Sequence, residues 1–323
     1  MGRAGPLGAI RRKARKARQV GFRAAARQGY TELIYRWGPR LEWAGLQVLP
    51  AHYYSPVPSL RELRARRDLL VQPSELRGIE LTLEGQLPAI ELLAPFAAEV
   101  AALDPYEEFE QRSSGEGYGV ADAEILYAWL RATRPSRVVE IGSGVSTHYT
   151  AAALARSARD GVNASLTCVE PFRWHGLDAL ASPGVQVEVL RSLVQDVDMA
   201  VFDALGPGDV LFIDSTHVVK TGSDTSFLFL EVLPRLRPGV VVHVHDIPLP
   251  FEFVDPDIIL REHMFWNEVA MLRAFLMFNS EFSIRLASFW MAHYAPEHLG
   301  RAVPSLSRAG VIHPSSIWIQ RNG

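Results

Sequence analysis

The sequence predicts an α/β fold, doubly wound about a mostly parallel sheet. Three observations predict it. After Pro135, short β-branched runs alternate with helical stretches of about ten residues, the pattern of repeated strand–helix–strand units. The first of these runs, Arg137–Ile141, leads straight into a turn with glycines at 142 and 144. The last two runs have no crossover helix between them, which implies a hairpin-like antiparallel edge on the sheet.

In chain order, residues 1–80 read as a basic N-terminal extension of helix, irregular connector and helix. Residues 1–30 hold nine Arg or Lys and no acid, although the 323-residue chain has a net charge of −3. A solvated arm, or a helix packed on the acidic remainder, accounts for this run. The functional alternative is a weak contact with an anionic membrane surface, since Ile10, Ala14, Ala17, Gly21 and Ala24 fall at helical spacing opposite arginines. That stripe is mostly alanine and buries too little apolar area to anchor the protein alone. Nothing downstream reads as a nucleic-acid module.

Residues 81–323 form the expected main domain, with a glycine-rich core over 115–250 and a helix and edge strands over 251–323. Apolar periodicity suits helices over Leu87–Leu103 and Val120–Ala132. Strands are expected over Arg137–Ile141, Leu166–Glu170, Val185–Leu190, Asp209–Asp214 and Val240–His245, with helices between them, notably Thr147–Ala158 and Ser226–Leu236. A helix over His263–Phe278 and strands over Phe282–Phe289 and Ser316–Gln320 bring the strands to seven.

The single cysteine, Cys168, excludes an intramolecular disulfide framework and a cysteine-based metal cluster, so a reducing, cytoplasmic setting is expected. No apolar run approaches the roughly 20 residues that span a bilayer, and the basic start lacks the apolar core of a secretory signal. A homo-oligomer is expected.

A buried parallel strand should be apolar, yet Val138-Val139-Glu140-Ile141 holds a carboxylate just before Gly142-Ser143-Gly144. The glycines allow close approach of a ligand, and the next helix, opening near Ser146-Thr147, points free N–H groups into the same space. Glu170 ends the next strand, where a carboxylate beside the first glycine turn can accept both hydroxyls of a ribose. A dinucleotide and S-adenosylmethionine would both use that geometry, but the dinucleotide pattern of three glycines fails at Thr147.

Glu140-x-Gly142-x-Gly144, Glu170, Asp209-Val-Leu-Phe-Ile-Asp214 and Leu236-Arg-Pro-Gly-Val240 resemble, in order and spacing, the successive motifs of class I S-adenosylmethionine-dependent methyltransferases. The stretches Glu140–Thr147, Ile213–His217 and His243–Asp246 further resemble a bacterial branch of small-molecule O-methyltransferases. The resemblance covers about residues 115–320, and it implies a Rossmann-like sheet. It also implies that Glu140, Gly142, Ser143, Gly144 and Ser146 hold the methionine moiety and Glu170 the ribose, with Asp214 beside them. Ser146 stands where many members carry a third glycine.

Methyl transfer to a hydroxyl needs an aligned acceptor and a base. Asp214 and His217 follow the fourth strand, and His243, His245 and Asp246 cluster at the end of the fifth, facing the crevice of an open sheet. They suit a divalent ion, Mg²⁺ or a transition metal, on Asp214, His245 and Asp246, with His217 as base. Related enzymes hold such an ion with acids alone, whereas His245 replaces one acid here. Alternatively, Asp214 and His217 act as a metal-free pair, and His243 is a core residue. Trp266, Asn267 and Glu268, with His217, are expected to meet the acceptor, a small polar molecule such as a sugar or specialised metabolite. A nicotinamide-dependent oxidoreductase and a non-catalytic cofactor-binding protein are the competing readings.

Overall fold

The computed structural model describes residues 22–51, 54–113, 117–172, 176–177, 180–308, 310–311 and 313–323. The stripe from Ile10 to Gly21 lies outside them. The chain divides into two compact units, Met1–Arg66 and Arg67–Gly323. In the first, α1 (Phe22–Glu42) is followed by a short helix, Leu60–Ala65, whose N-cap Ser59 accepts the Glu62 N–H. Residues 67–80, expected within the extension, belong to the second unit: the Ser74 N–H donates to the Pro250 carbonyl at 2.9 Å and the Phe278 N–H to that of Gly78 at 2.7 Å.

The second unit is built on one seven-stranded sheet. Its strands are β1 (Arg137–Ile141), β2 (Ala164–Val169), β3 (Val185–Leu190), β4 (Val210–Ile213), β5 (Val241–Val244), β6 (Phe282–Ala287) and β7 (Ile317–Arg321). They lie in the order β3-β2-β1-β4-β5-β7-β6; the first five are parallel, and β7 runs antiparallel to both of its neighbours. The Rossmann-like sheet with a late antiparallel edge is thus as expected, with one difference. Strand β6 is followed by a helix over Ser288–Tyr294 rather than by a loop alone, and β7 returns to insert between β5 and β6. Residues 288 and 289, expected to extend β6, are the start of that helix.

Strand alternation distributes the core. Val138, Val210, Phe212, Val241 and Trp318 face one apolar layer, and Val139, Leu211, Ile213, Val242 and Ile319 face the other. The first layer is covered by α2 (Leu83–Leu93), α3 (Val120–Thr133) and α4 (Val145–Arg159), and Trp129 of α3 stacks on Trp318 of β7 at 4.4 Å. Pro95 interrupts the single helix expected over Leu87–Leu103, which continues as a 3₁₀ turn and a short helix, Ala97–Ala101. The helix expected over Ser226–Leu236 is an α-turn, a five-residue π segment, Leu228–Val232, and a 3₁₀ turn closed by Pro234. Its other neighbour on the second layer is α5 (Glu268–Leu276), shorter than the expected His263–Phe278.

Candidate active site

Strand order reverses between β1 and β4, so the carboxyl ends of these strands open the crevice where ligands of doubly wound sheets bind. Gly142 leaves β1 with φ +88°, and a Cβ there would collide with the Asp214 carbonyl oxygen. Glycine is required at this position by both dihedral and space. Gly144 caps α4, and a Cβ on it would meet no protein atom within 4 Å.

Glu140 is fully buried on β1. Its Oε1 accepts from Ser146 Oγ at 2.6 Å and Thr147 Oγ1 at 2.9 Å, while Oε2 has no hydrogen-bond partner among the described residues. Burial pushes the carboxyl up to about 8 against those two hydroxyls. Thr147 Oγ1 also accepts the Gly144 N–H at 2.9 Å, which ties the turn to the strand acid. Ser143 Oγ is buried in the same turn. Glu170 follows β2 and accepts the Phe172 N–H at 2.8 Å; burial raises its carboxyl, countered by N–H groups of Phe172 and Ser143. Cys168 packs in the core, and burial pushes its thiol up.

A second cluster lies past β4 and β5. His217 Nε2 stands 3.4 Å from Asp214 Oδ1 and 3.6 Å from Asp246 Oδ2, while its Nδ1 meets Glu268 Oε2 at 2.8 Å. His245 Nδ1 faces the same two aspartates at 3.3 and 3.7 Å. Both His217 and Asp246 are non-glycine residues at positive φ, 58° and 55°, a strain that marks positions over-determined by their surroundings. Burial disfavours the charged imidazole of His217, but hydrogen bonds to Asp214 and Glu268 outweigh it and push the ring up to about 10. His245 is likewise buried yet held well above the usual histidine range by Asp246 and Asp214. Burial raises Asp214, and the His245 and His217 rings more than reverse it, holding the carboxylate well below its usual range. Burial raises Glu268, opposed by His217.

Of these, His217, Asp246 and Glu268 open onto a cavity of about 770 Å³ whose lining also includes Trp266, Phe251 and Phe289. Trp266 packs on the His217 ring, centroids 4.9 Å apart.

Glu140, Ser143, Gly142, Gly144, Ser146 and Glu170 gather at one end of the crevice, and Asp214, His217, His245 and Asp246 at its neighbour. Glu268 sits behind His217, and Trp266 lines the cavity. Asn267 is elsewhere: its Oδ1 accepts the Val219 N–H at 2.5 Å, so it pins the loop after β4. His243 is a core residue, stacked between Phe212 at 4.2 Å and Trp318 at 4.0 Å, and burial depresses its ring far below the usual range. The expected ion on Asp214, His245 and Asp246 gains no support. These residues pair with each other, and among the described residues no group of three or more His, Cys, Asp or Glu is arranged to hold a metal.

Sequence reasoning missed Asp122 and Tyr118. Asp122, buried on α3, accepts from Ser316 Oγ at 2.5 Å and the Ser315 N–H at 2.8 Å and stands 3.7 Å from His245 Nε2. Tyr118 packs on the His245 ring at 4.5 Å. The available signal was an acid between Ala121 and Ala123 on the apolar face of a helix.

Residues 139–247 match the model of a family described as a methyltransferase domain. An uncharacterized protein of Archaeoglobus fulgidus is 28% identical over 166 residues, covering 48% of this chain and 72% of that protein. The family match runs from β1 past the end of β5, and so contains the glycine turn, Glu170 and the paired aspartates and histidines. Together with the Rossmann-like sheet, that match supports an S-adenosylmethionine-dependent methyltransferase enzyme.

Proposed function

We propose that the protein transfers a methyl group from S-adenosylmethionine to a hydroxyl oxygen of a small molecule held in the cavity, with His217 taking the hydroxyl proton. The observation that carries this reading is the Glu268–His217 pair: a buried carboxylate on Nδ1 fixes the ring and leaves Nε2 turned toward Asp214, Asp246 and the cavity.

The residues of the glycine turn fit the donor. Glu140 Oε2, buried without a partner, suits the ammonium of a methionine moiety, and the space before Gly144 admits its main chain. Gly142, Ser143 and Ser146 shape that cradle, and Glu170, with one oxygen on the Phe172 N–H, suits ribose hydroxyls. Bound there, S-adenosylmethionine supplies an electrophilic sulfonium methyl. Asp214, between the two clusters, keeps His217 oriented, and His245 with Asp122 keeps Asp214 in place.

A ring held near 10 is an imidazolium at neutral pH, so turnover should rise through the alkaline range as His217 loses its proton. Glu268→Gln removes the negative charge on Nδ1 and should bring that limb to lower pH by about one unit or more. His217→Ala should remove the inflection near 10 and leave a much lower turnover that climbs with hydroxide without levelling off. A pH profile of kcat/KM for the three proteins checks this; an unchanged limb in Glu268→Gln would reject His217 as the base. Exhaustive chelation should leave turnover intact, and a loss restored by Mg²⁺ would return the ion to Asp214, His245 and Asp246.

A further inference from the structure

On the reading that His217 serves methyl transfer, we infer that the acceptor is an uncharged phenol with a body of two or three rings, bearing no carboxylate or phosphate. This narrows the small polar acceptor, a sugar or specialised metabolite, that the sequence suggested, and the cavity lining is the reason.

Its volume, about 770 Å³, lies in the range that encloses a drug-sized molecule. Most of its wall is apolar: Phe251, Phe253, Ile258, Trp266, Val269 and Phe289. Phe251 and Phe289 meet edge to face at 5.8 Å, leaving aromatic surfaces for a flat guest. A sugar brings several hydroxyls, and each one set against this wall would lose its water without gaining a partner.

Charge narrows the class further. Among the described residues the lining holds four carboxylates, Asp246, Glu252, Asp255 and Glu268, against three imidazoles, His217, His293 and His313, and no Lys or Arg. A carboxylate or phosphate on the acceptor would enter a field mostly of its own sign, with His217 already held between Asp214 and Glu268.

The hydroxyl itself must be one that an imidazole can deprotonate. A phenol, about as acidic as a tyrosine near 10, passes its proton to a ring of similar basicity far more readily than an aliphatic alcohol does. The balance is simple. An oxygen lone pair forms the new C–O bond, the pair of the breaking methyl–sulfur bond returns to sulfur as a neutral thioether, and the phenolic proton passes to His217 Nε2.

The test uses the full chain saturated with S-adenosylhomocysteine and two matched pairs of probes: 2-naphthol with 6-hydroxy-2-naphthoate, and 7-hydroxycoumarin with its 3-carboxylate, beside glucose. Binding is read by calorimetry, and methylation of the same probes by mass after incubation with S-adenosylmethionine. The neutral member of each pair should bind at least tenfold more tightly than the carboxylated one and be the one methylated, with glucose neither bound nor methylated. Replacing the exposed acids, Glu252→Lys with Asp255→Lys, should narrow the gap several-fold in favour of the carboxylates. Equal binding within both pairs, or methylation of glucose alone, overturns the inference. Affinity for S-adenosylhomocysteine is measured first on the same sample, so that its absence would count against the methyltransferase reading, whereas its presence with failed phenols would count against this inference alone.

Discussion

Glu140 concentrates the physical tension of the site. A strand buried on both faces favours apolar residues, yet here it carries a carboxyl whose Oε1 is satisfied by two hydroxyls and whose Oε2 is not. Held up to about 8, the group retains its proton at neutral pH in the free protein. An ammonium docking on it requires the ionised form. Binding of S-adenosylhomocysteine should therefore release a proton, and affinity should improve as pH rises toward 8 and then level off. Calorimetry in buffers of differing ionisation enthalpy measures the release, which Glu140→Gln should eliminate; a pH-independent affinity in the native protein would show that Glu140 does not meet the ammonium.

Strand β7 decides the scale of elements. It fills the gap between β5 and β6, and its Trp318, fully buried, stacks on Trp129 of α3 and on His243 of β5. One side chain thus joins helix, parallel sheet and antiparallel edge. Trp318→Ala should cost about 3–5 kcal/mol, as removal of a large core aromatic does, and Trp318→Phe distinctly less because a ring remains. Urea unfolding compares the two; equal losses would mean that the stack contributes little beyond the volume common to both. The same strand end supplies Ser315 and Ser316, whose bonds to Asp122 steady the partner of His245.

For the whole molecule, the buried titrating groups set how stability varies with pH. His217 titrates near 10 in the folded protein and near 6.5 when unfolded, so its stabilisation is complete below about 6.5 and is lost as pH rises to 10. Glu140 works in the same direction: the folded state favours its protonated form, and that advantage disappears as pH rises from about 4.5 to 8. The thermal midpoint should accordingly fall between pH 6.5 and 10, and fall less in His217→Gln; identical slopes would locate the effect elsewhere. The basic run at residues 1–30 bears on a different property. We propose that it provides a weak, salt-sensitive contact with anionic lipid. Its deletion should leave S-adenosylhomocysteine affinity unchanged and remove co-sedimentation with anionic vesicles at low salt. Vesicle binding that persists after deletion would assign the contact to other residues.

The sequence by itself determined the parallel core, the glycine turn with its two strand acids, and the grouping of Asp214, His217, His245 and Asp246. These follow from local rules: a two-residue period, a turn that only glycine can make, and the fact that polar residues ending adjacent parallel strands must share one crevice. The tertiary structure decided what those polar groups do to one another. That the aspartates and histidines pair directly, that Glu268 backs His217 while Asn267 next to it holds a loop, and that Asp122 reaches His245 from α3 depend on distances between elements far apart in the chain. The aromatic character of the cavity was legible only in part. The sequence offered Phe251, Phe253 and Trp266 either as pocket lining or as core, and Phe289 as strand; only the fold brings them onto a common wall.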